Sequence, residues 1–476
     1  MPYQVYTKWV EPGFFVMVSV SNGVMGVDIH WLFRYYLPGI VGAIATLTSF
    51  VAGKNLTRSN IGGGISALLV SFSYVQIDAV TESYYRQIFA SVILVMSLVY
   101  LDKYLETRKT SDLALFTVLA SGTVAYHIAV SLFVSFAYLI SLIFFIWTKD
   151  RKAIRSIGLS IISAILISAP AWIPRFGDIL TTFIAAISTS VWRTSTLSSG
   201  EGLWAGGGAI PSLFWSYPHI LVGYLIFFFP LVVFSIMSYY ILWTKHKLHY
   251  TLPALSIVLW FYIGLWLFFG NRFILNLDLL LCVIAPFAIV YFYKNTLRKY
   301  GSKIQVIGVV LMASVLVVPS ACFSIDSQLN KAPYIKENTE AIDWIEKNMS
   351  KDNAVIFAPD YLSADLIQLG YLMAVWDFSL TRENDHPMAI AEEFMLNAPT
   401  NLTYIEKFLT DNPAYKEKEI YVLWGTWDLD RPLVVTKKLI PVDDYASSPY
   451  FKCVYHGYAE ILCIYKYVGH SGDEPH

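Results

Sequence analysis

Along the first two thirds of the chain the hydrophobic positions come in long runs rather than in alternation. A bilayer core is crossed by about 20 apolar residues of helix. Runs that fit this reading lie at about 35–52, 60–76, 87–101, 113–126, 128–147, 156–173, 219–243, 252–269, 274–293 and 304–322. The pattern predicts ten transmembrane helices. Two of the runs share only residues 112–147, so one of that pair is expected to be short or strongly tilted. Residues 1–34 are aromatic and contain Pro12 and Gly13; they read as an outer-face segment that lies in the interface or forms a short helix.

From Ser324 the pattern changes to that of a water-facing domain. Ala341, Ile342 and Ile345 fall on one side of a helix in KENTEAIDWIEKN, AVIFAP (354–359) reads as a buried strand, a helix is expected through YLSADLIQLGYLMAV (361–375), and EIYVLWG (419–425) reads as a second strand. The chain closes on FKCVYHGYAEILCIYKY (451–467), two alternating runs that predict a β-hairpin. If the pairing is centred on Tyr458, Cys453 and Cys463 stand opposite each other, within reach of a disulfide; a one-residue change of register separates them. The expectation is a polytopic helical membrane domain over 35–323 followed by an extracytoplasmic α/β domain over 324–476.

Charge gives the helices a direction. The connectors 53–59, 102–111, 148–155, 244–250 and 294–303 hold fifteen Lys and Arg residues in 42 positions, whereas the alternating connectors hold only Arg86, Arg175, Arg193 and Arg272. Short basic loops stay cytoplasmic, so both termini and the long loop 174–218 are expected outside, in a multi-pass plasma-membrane protein. The first half of that loop reads as a helix lying flat on the membrane, anchored by Trp192, Trp204 and Trp215. Asn348-Met-Ser and Asn401-Leu-Thr then become outward-facing sequons.

Composition removes other classes of function. Hydrophobic residues make up 56% and charged residues 14% of the 476, and the net charge of -1 offers no basic face for nucleic acid. No zinc-type cluster, phosphate-cradling lysine loop or GxSxG elbow occurs.

The arrangement resembles the C-type, multi-span membrane glycosyltransferases, similar to dolichyl-phosphate-mannose:protein mannosyltransferases and oligosaccharyltransferase catalytic subunits. The residues that carry the resemblance are TKWVEPGFF before a run of short apolar helices, the charged TESYYR after the second of them, the outer turn AYHIAVSLF, and the WIEKN helix, strand and closing hairpin of the tail. The resemblance implies transfer of a sugar from a polyprenyl-phosphate carrier to an acceptor at the outer membrane face. Family members carry a catalytic acidic pair in a first outer loop after a first span; here only Glu11 beside Pro12 stands near that place. The chain is therefore expected to be a truncated or split enzyme whose missing N-terminal part a membrane partner supplies, or a relative that has lost activity.

Inverting transfer needs a carboxylate to take the acceptor's proton and cations for the phosphate leaving group. The candidate catalytic acids are Asp78, Glu82 and Asp28, and the candidate substrate-binding groups are Arg86, His127, Arg272 and Arg175. A continuous helix over 78–89 puts Asp78, Glu82 and Arg86 on one face, either toward a cavity or as a solvated Glu82 to Arg86 ion pair. Arg272, in a very short outer turn, either contacts a carrier phosphate or snorkels, and His127 either donates to substrate or caps its turn. Asp278 lies inside a span, where an ionisable residue is a functional candidate, with Arg272 as its expected partner. Asp78 and Glu82 could together hold a divalent cation, the candidate cofactor. A transporter or carrier flippase, and a non-catalytic membrane anchor for a cell-envelope complex, are the competing classes.

Overall fold

The computed structural model describes residues 12–26, 36–81, 84–173, 220–245, 250–265, 273–358, 370–374, 387–425, 442–457 and 462–469, with the single residues 32, 366 and 438. Two compact units divide the chain, one of residues 8–325 and one beginning at Asp326.

The first unit is helical throughout. Its elements are α1 (Pro12–Met25), α2 (Leu37–Thr57), α3 (Asn60–Ser71), α4 (Tyr74–Thr81), α5 (Tyr85–Thr107), α6 (Thr110–Tyr126), α7 (Ile128–Trp147), α8 (Arg151–Trp172), α9 (Ile220–Phe227), α10 (Phe229–Thr244), α11 (Thr251–Gly264), α12 (Ile274–Ile284), α13 (Pro286–Asn295) and α14 (Ser302–Asn348), whose first part belongs here. Each of the ten apolar runs forms helix. Among the described residues, six are long and apolar enough to cross a bilayer, and up to eight if the bent pairs α3–α4 and α9–α10 each count as one span. That is fewer than the ten expected: α6 has 17 residues and α11 only 14, short of a straight crossing. The protein is a multi-pass membrane protein. The segment 174–218 lies outside the described residues.

Burial separates central from peripheral helices. The span formed by α12 and α13 is 89% buried inside protein, whereas the apolar part of α14 is 11% buried and offers its side chains to lipid. All eleven residues of α12 are buried, so this helix is packed on every face. The α2–α3 pair is held unusually close by small residues, because a Cβ on Gly63 would come within 2.7 Å of the Phe50 carbonyl oxygen. Its turn is closed by Arg58 at φ 50°.

Arg108 (φ 60°) and Lys149 (φ 57°) close α5 and α7 in the same way, and these three are the only non-glycine residues with left-handed φ among those described. All three are basic and stand where a glycine would ordinarily end a helix. Their charge lies at helix C-termini, where the backbone dipole favours it. Arg108 also donates to the Tyr104 and Leu105 carbonyls and to Asp150 Oδ2, and its guanidinium lies 4.5 Å from the Phe145 ring centre. The Ala153 amide, donating to Asp150 at the start of α8, holds that carboxyl below its usual range. The basic turns thus alternate with the opposite helix ends, where α4, α6 and α8 finish and α5, α7, α9 and α12 begin.

The second unit is an α/β domain. A five-stranded sheet runs β2–β1–β3–β5–β4, with β1 (Ala354–Phe357), β2 (Leu372–Met373), β3 (Glu419–Trp424), β4 (Phe451–His456) and β5 (Cys463–Tyr467). β1 pairs in parallel with β2 and β3, while β5 is antiparallel to both β3 and β4. The strand β1 is buried at all four positions, as expected of a strand covered on both faces. Over it, Phe357 stacks on Phe394 at 4.2 Å. The end of the helix expected over 361–375 is strand instead: Leu372 and Met373 pair with Val355 and Ile356. Four apolar residues at that point satisfied a helical spacing equally well, and pairing with β1 decided.

The predicted hairpin forms, but not in the register that joins the cysteines. The strands start in a register that already places Cys453 opposite Tyr465, and a bulge between Cys453 and Tyr455 then sets Cys463 opposite His456, with Cys453 exposed and Cys463 buried. Such a bulge moves every later side chain by one place.

Two outcomes check this packing. Gly63→Ala, which presses a methyl on an immovable carbonyl, should lower stability by about 1–3 kcal/mol, while Gly122→Ala, whose new Cβ meets only Ile93 at 3.7 Å, should be neutral or slightly stabilising; thermal unfolding in detergent reads both. Under non-reducing conditions Cys453 should alkylate in the folded protein and Cys463 only after unfolding, and a mass two hydrogens short of the thiol form would contradict the register.

Candidate functional site

The helix after the α2–α3 turn cannot continue past Ser71. In SFSYVQIDAVT, Phe72 leaves helical geometry and Ser73 restarts it: the Ser73 hydroxyl accepts from the Gln76 amide at 3.2 Å, and its carbonyl accepts from Ile77 at 3.0 Å. This is the N-cap role that serine performs well. The two pieces, α3 and α4, meet at 46°. A break at this depth frees backbone groups that lipid cannot satisfy. One neighbouring helix, α14, supplies the partners: Ser320 Oγ accepts from the Tyr74 amide at 2.8 Å, and Ser324 Oγ donates to the Phe72 carbonyl at 3.4 Å.

Asp278 stands at the centre of the break. Its Oδ2 accepts from Ser73 Oγ at 2.6 Å and from Gln76 Nε2 at 3.0 Å, and its Oδ1 accepts from Tyr224 Oη at 2.8 Å. Gln76 Nε2 also donates to the Leu275 carbonyl at 3.0 Å. Among the described residues the acid is satisfied by hydroxyl and amide groups; Arg272, its expected partner, lies outside them. A void of about 10 Å³, near the space one water needs, lies beside Ser73, Asp278 and Ser320. A second polar seam runs from the same buried helix to α5, where Asn276 Nδ2 donates to Ser91 Oγ at 2.8 Å and its Oδ1 accepts from Gln87 at 3.3 Å.

Beyond the break, α4 carries Asp78 on its last full turn, 4% exposed. The continuous helix expected over 78–89 is absent: α4 ends at Thr81 and α5 begins at Tyr85. Asp78 and Arg86 consequently belong to two helices that meet at the break, and they do not form an i, i+8 row on one. Asp78 is buried, whereas the expected Glu82 to Arg86 pair involves Glu82, which lies outside the described residues. Arg86 is half-buried on the first turn of α5. His127 joins α6 to α7, and its Nδ1 accepts from the Val130 amide at 3.4 Å, the turn-capping role. The rings of Phe89 and Tyr126, 5.9 Å apart, bring the Arg86 turn beside the His127 turn. Three of the sequence candidates, Asp78, Arg86 and His127, thus lie at the same end of the helical unit. Glu82, Asp28, Arg175 and Arg272 fall outside the described residues, and no group of three or more His, Cys, Asp or Glu side chains suited to a metal occurs among the described ones.

The partners of Asp278 escaped sequence reasoning. Ser73, Gln76 and Tyr224 are separated by up to about 150 positions, and each is an ordinary residue within an apolar run. A signal existed in Ser73 and Gln76, three apart after an apolar run, the spacing of a capped helix start.

No family model matches the chain, and no curated protein matches it by sequence. Its structure is similar to ArnT from Cupriavidus metallidurans, bound to undecaprenyl phosphate, with a TM-score of 0.50 at 10% identity over 96% of this chain and 88% of that one. Against the apo state of the same protein the TM-score is 0.52 at 9% identity, over 96% and 87%. ArnT is a C-type glycosyltransferase. This chain has the C-type glycosyltransferase fold. At this identity the likeness concerns the fold, and the helical unit with its C-terminal α/β unit accounts for it.

Within this C-type fold the Asp278 contacts should dominate local stability. Tyr224→Phe leaves Oδ1 buried without that donor, an expected loss of about 1–3 kcal/mol, whereas Tyr300→Phe, on an exposed residue, should change nothing; the comparison is of unfolding midpoints in one detergent.

Proposed function

We propose that the protein is a membrane glycosyltransferase that moves a sugar from a polyprenyl-phosphate carrier to an acceptor at the outer membrane face. The observation that carries this reading is the C-type fold over 96% of the chain, with a buried acid, Asp78, at the helix ends opposite the basic turns. In the comparison structure of the same fold the ligand is undecaprenyl phosphate, which supports a carrier of that chemistry here. The basic turns favour a topology with the α4 end outward and the C-terminal unit extracytoplasmic.

In this mechanism Asp78 is the general base. Its carboxylate takes the proton of the acceptor hydroxyl as that oxygen forms a bond to the anomeric carbon; the bond from carbon to phosphate oxygen breaks, and its electron pair leaves on the carrier phosphate. Arg86, on the adjoining turn, neutralises the charge that develops on the phosphate, with Arg272 and Arg175 as further cations. His127 orders the neighbouring α6–α7 turn through its cap and is the residue of that turn assigned to contact the substrate. Glu82 and Asp28 are the other carboxylates assigned to the site; Asp78 and Glu82 are the residues that would hold a divalent cation, which would supply further charge neutralisation for the leaving phosphate.

The test uses the full chain in proteoliposomes supplied with polyprenyl-phosphate sugars and a hydroxyl acceptor. Asp78→Asn should lower transfer by about 10²–10⁴-fold, the usual contribution of a general base, with unchanged binding of the carrier. Arg86→Gln should weaken the carrier's binding and its turnover together. Transfer that survives Asp78→Asn at the wild-type rate overturns the assignment of the base.

A further inference from the structure

We propose that Asp278 is a positioning residue: by holding the break between α3 and α4 it sets the direction of α4 and hence the place of Asp78. The inference rests on the reading of Asp78 as the transfer base, and part of its test is independent of that reading.

The contacts converge on the first turn of α4 from separate helices. Ser73 joins cap and clasp in one hydroxyl, accepting from the Gln76 amide while donating to Asp278. Gln76, on the next residues of the same turn, donates to the same carboxylate oxygen and to the Leu275 carbonyl, so α4 is tied twice to the fully buried α12. The remaining oxygen of Asp278 is tied to α9 through Tyr224, and α14 holds the flanking backbone through Ser320 and Ser324. Among the described residues the donors to Asp278 are uncharged, which fits a clasp. The Gln76 Oε1 atom is buried without a hydrogen-bond partner, so the Gln76 side chain is held where it is by its two donor contacts.

The lever is long enough to matter. Asp78 lies four residues beyond Tyr74, about 6 Å along the axis, so straightening the 46° bend would move it by about 5 Å. Thr81, at the end of α4, would move by about 8 Å on the same arithmetic. Misplacement of a reacting group by about 1 Å already costs about a hundredfold in rate, so a partial change of the bend suffices to stop transfer.

The experiment measures the bend and the chemistry on the same reconstituted full chain. Spin labels on Thr81→Cys and Lys109→Cys, with exposed Cys322 and Cys453 changed to serine, report the distance from the end of α4 to the α5–α6 turn. Asp278→Leu should shift or broaden that distance by several ångströms and lower kcat by about a hundredfold or more, with KM for the carrier little changed. Asp278→Asn keeps an acceptor for Tyr224, and its amide NH2 can donate both to Ser73, with that bond reversed, and to Gln76 Oε1 once the Gln76 amide turns over, at the cost of the Leu275 contact; it should hold the wild-type distance and most of the activity. A distance unmoved by Asp278→Leu overturns the proposal. So does an Asp278→Asn variant that keeps the distance yet is as inactive as Asp78→Asn, since Asp278 would then act through its acid chemistry. Should Asp278→Leu not fold, Ser73→Ala removes the cap and one donor, and the same distance must shift; if it does not, the proposal fails. If the wild-type chain transfers no sugar, the functional reading falls and the distances alone decide the role of Asp278.

Discussion

A helix that breaks inside a bilayer must find protein partners for the backbone groups it releases, because lipid offers none. The break at Phe72 and Ser73 meets that constraint with two serines of α14, while α12 and α9 tie down its side chains, and much of the arrangement of the unit follows from it. Asp278 can be buried because Ser73, Gln76 and Tyr224 all donate to it. The helix that carries it can be enclosed on every face because its polar residues, Asn276 and Asp278, each meet a complementary group. And α4, freed from the line of α3, can end beside the start of α5, which joins Asp78 and Arg86 at one helix end.

At the opposite ends the physics differs. There Asp102 Oδ1 accepts from both the amide and the hydroxyl of Thr251 at 2.6 Å, so a carboxylate on α5 caps the start of α11. Arg58 pairs with Glu106 at 2.6 Å, and Tyr250 donates to the same carboxylate. Arg58 is largely exposed, so this pair is worth little in stability; its use lies in fixing turns. Basic residues in left-handed turns, at Arg58, Arg108 and Lys149, cost backbone strain that glycine would avoid. What they gain is a cation at a helix C-terminus and a charge that sets orientation. Stability and topology are therefore served by different residues at the two ends.

Much of this was legible in the sequence where one local rule sufficed. The ten apolar runs, the change of pattern near Ser324 and the closing hairpin depend on spacing alone, and each appears as helix, α/β unit or paired strands. Register and direction were not legible. The bulge beside Cys453 turns on how Tyr455 and Ile464 pair across two strands, and the short strand Leu372–Met373 exists only because β1 is there to receive it. At the candidate site the acids were visible but the break was not, since Phe72 and Ser73 are unremarkable within an apolar run. The capping spacing of Ser73 and Gln76 was the one local clue. The low identity to a chain of the same fold, 10%, is understandable on these terms, because apolar spacing can be kept by many sequences.

The choice of an acid at position 278 is the least expected feature, and its cost suggests its purpose. Burying a carboxylate in protein is unfavourable, and a well-packed apolar side chain of similar size is often as stable or more so. Leucine in its place would, however, take this acceptor from Ser73 and Tyr224 and leave Gln76 only the Leu275 carbonyl, and each lost partner costs about 1–3 kcal/mol. An apolar clasp at this point would also be non-directional, holding α4 near α12 without fixing its angle. A carboxylate that accepts from a capping hydroxyl and from the amide three residues later does fix it, because both donors lie on one turn and must face the same atom. The acid is thus the means by which a bend made of two short helices acquires a single direction, and only a helix with a single direction can deliver Asp78 repeatedly to the same place.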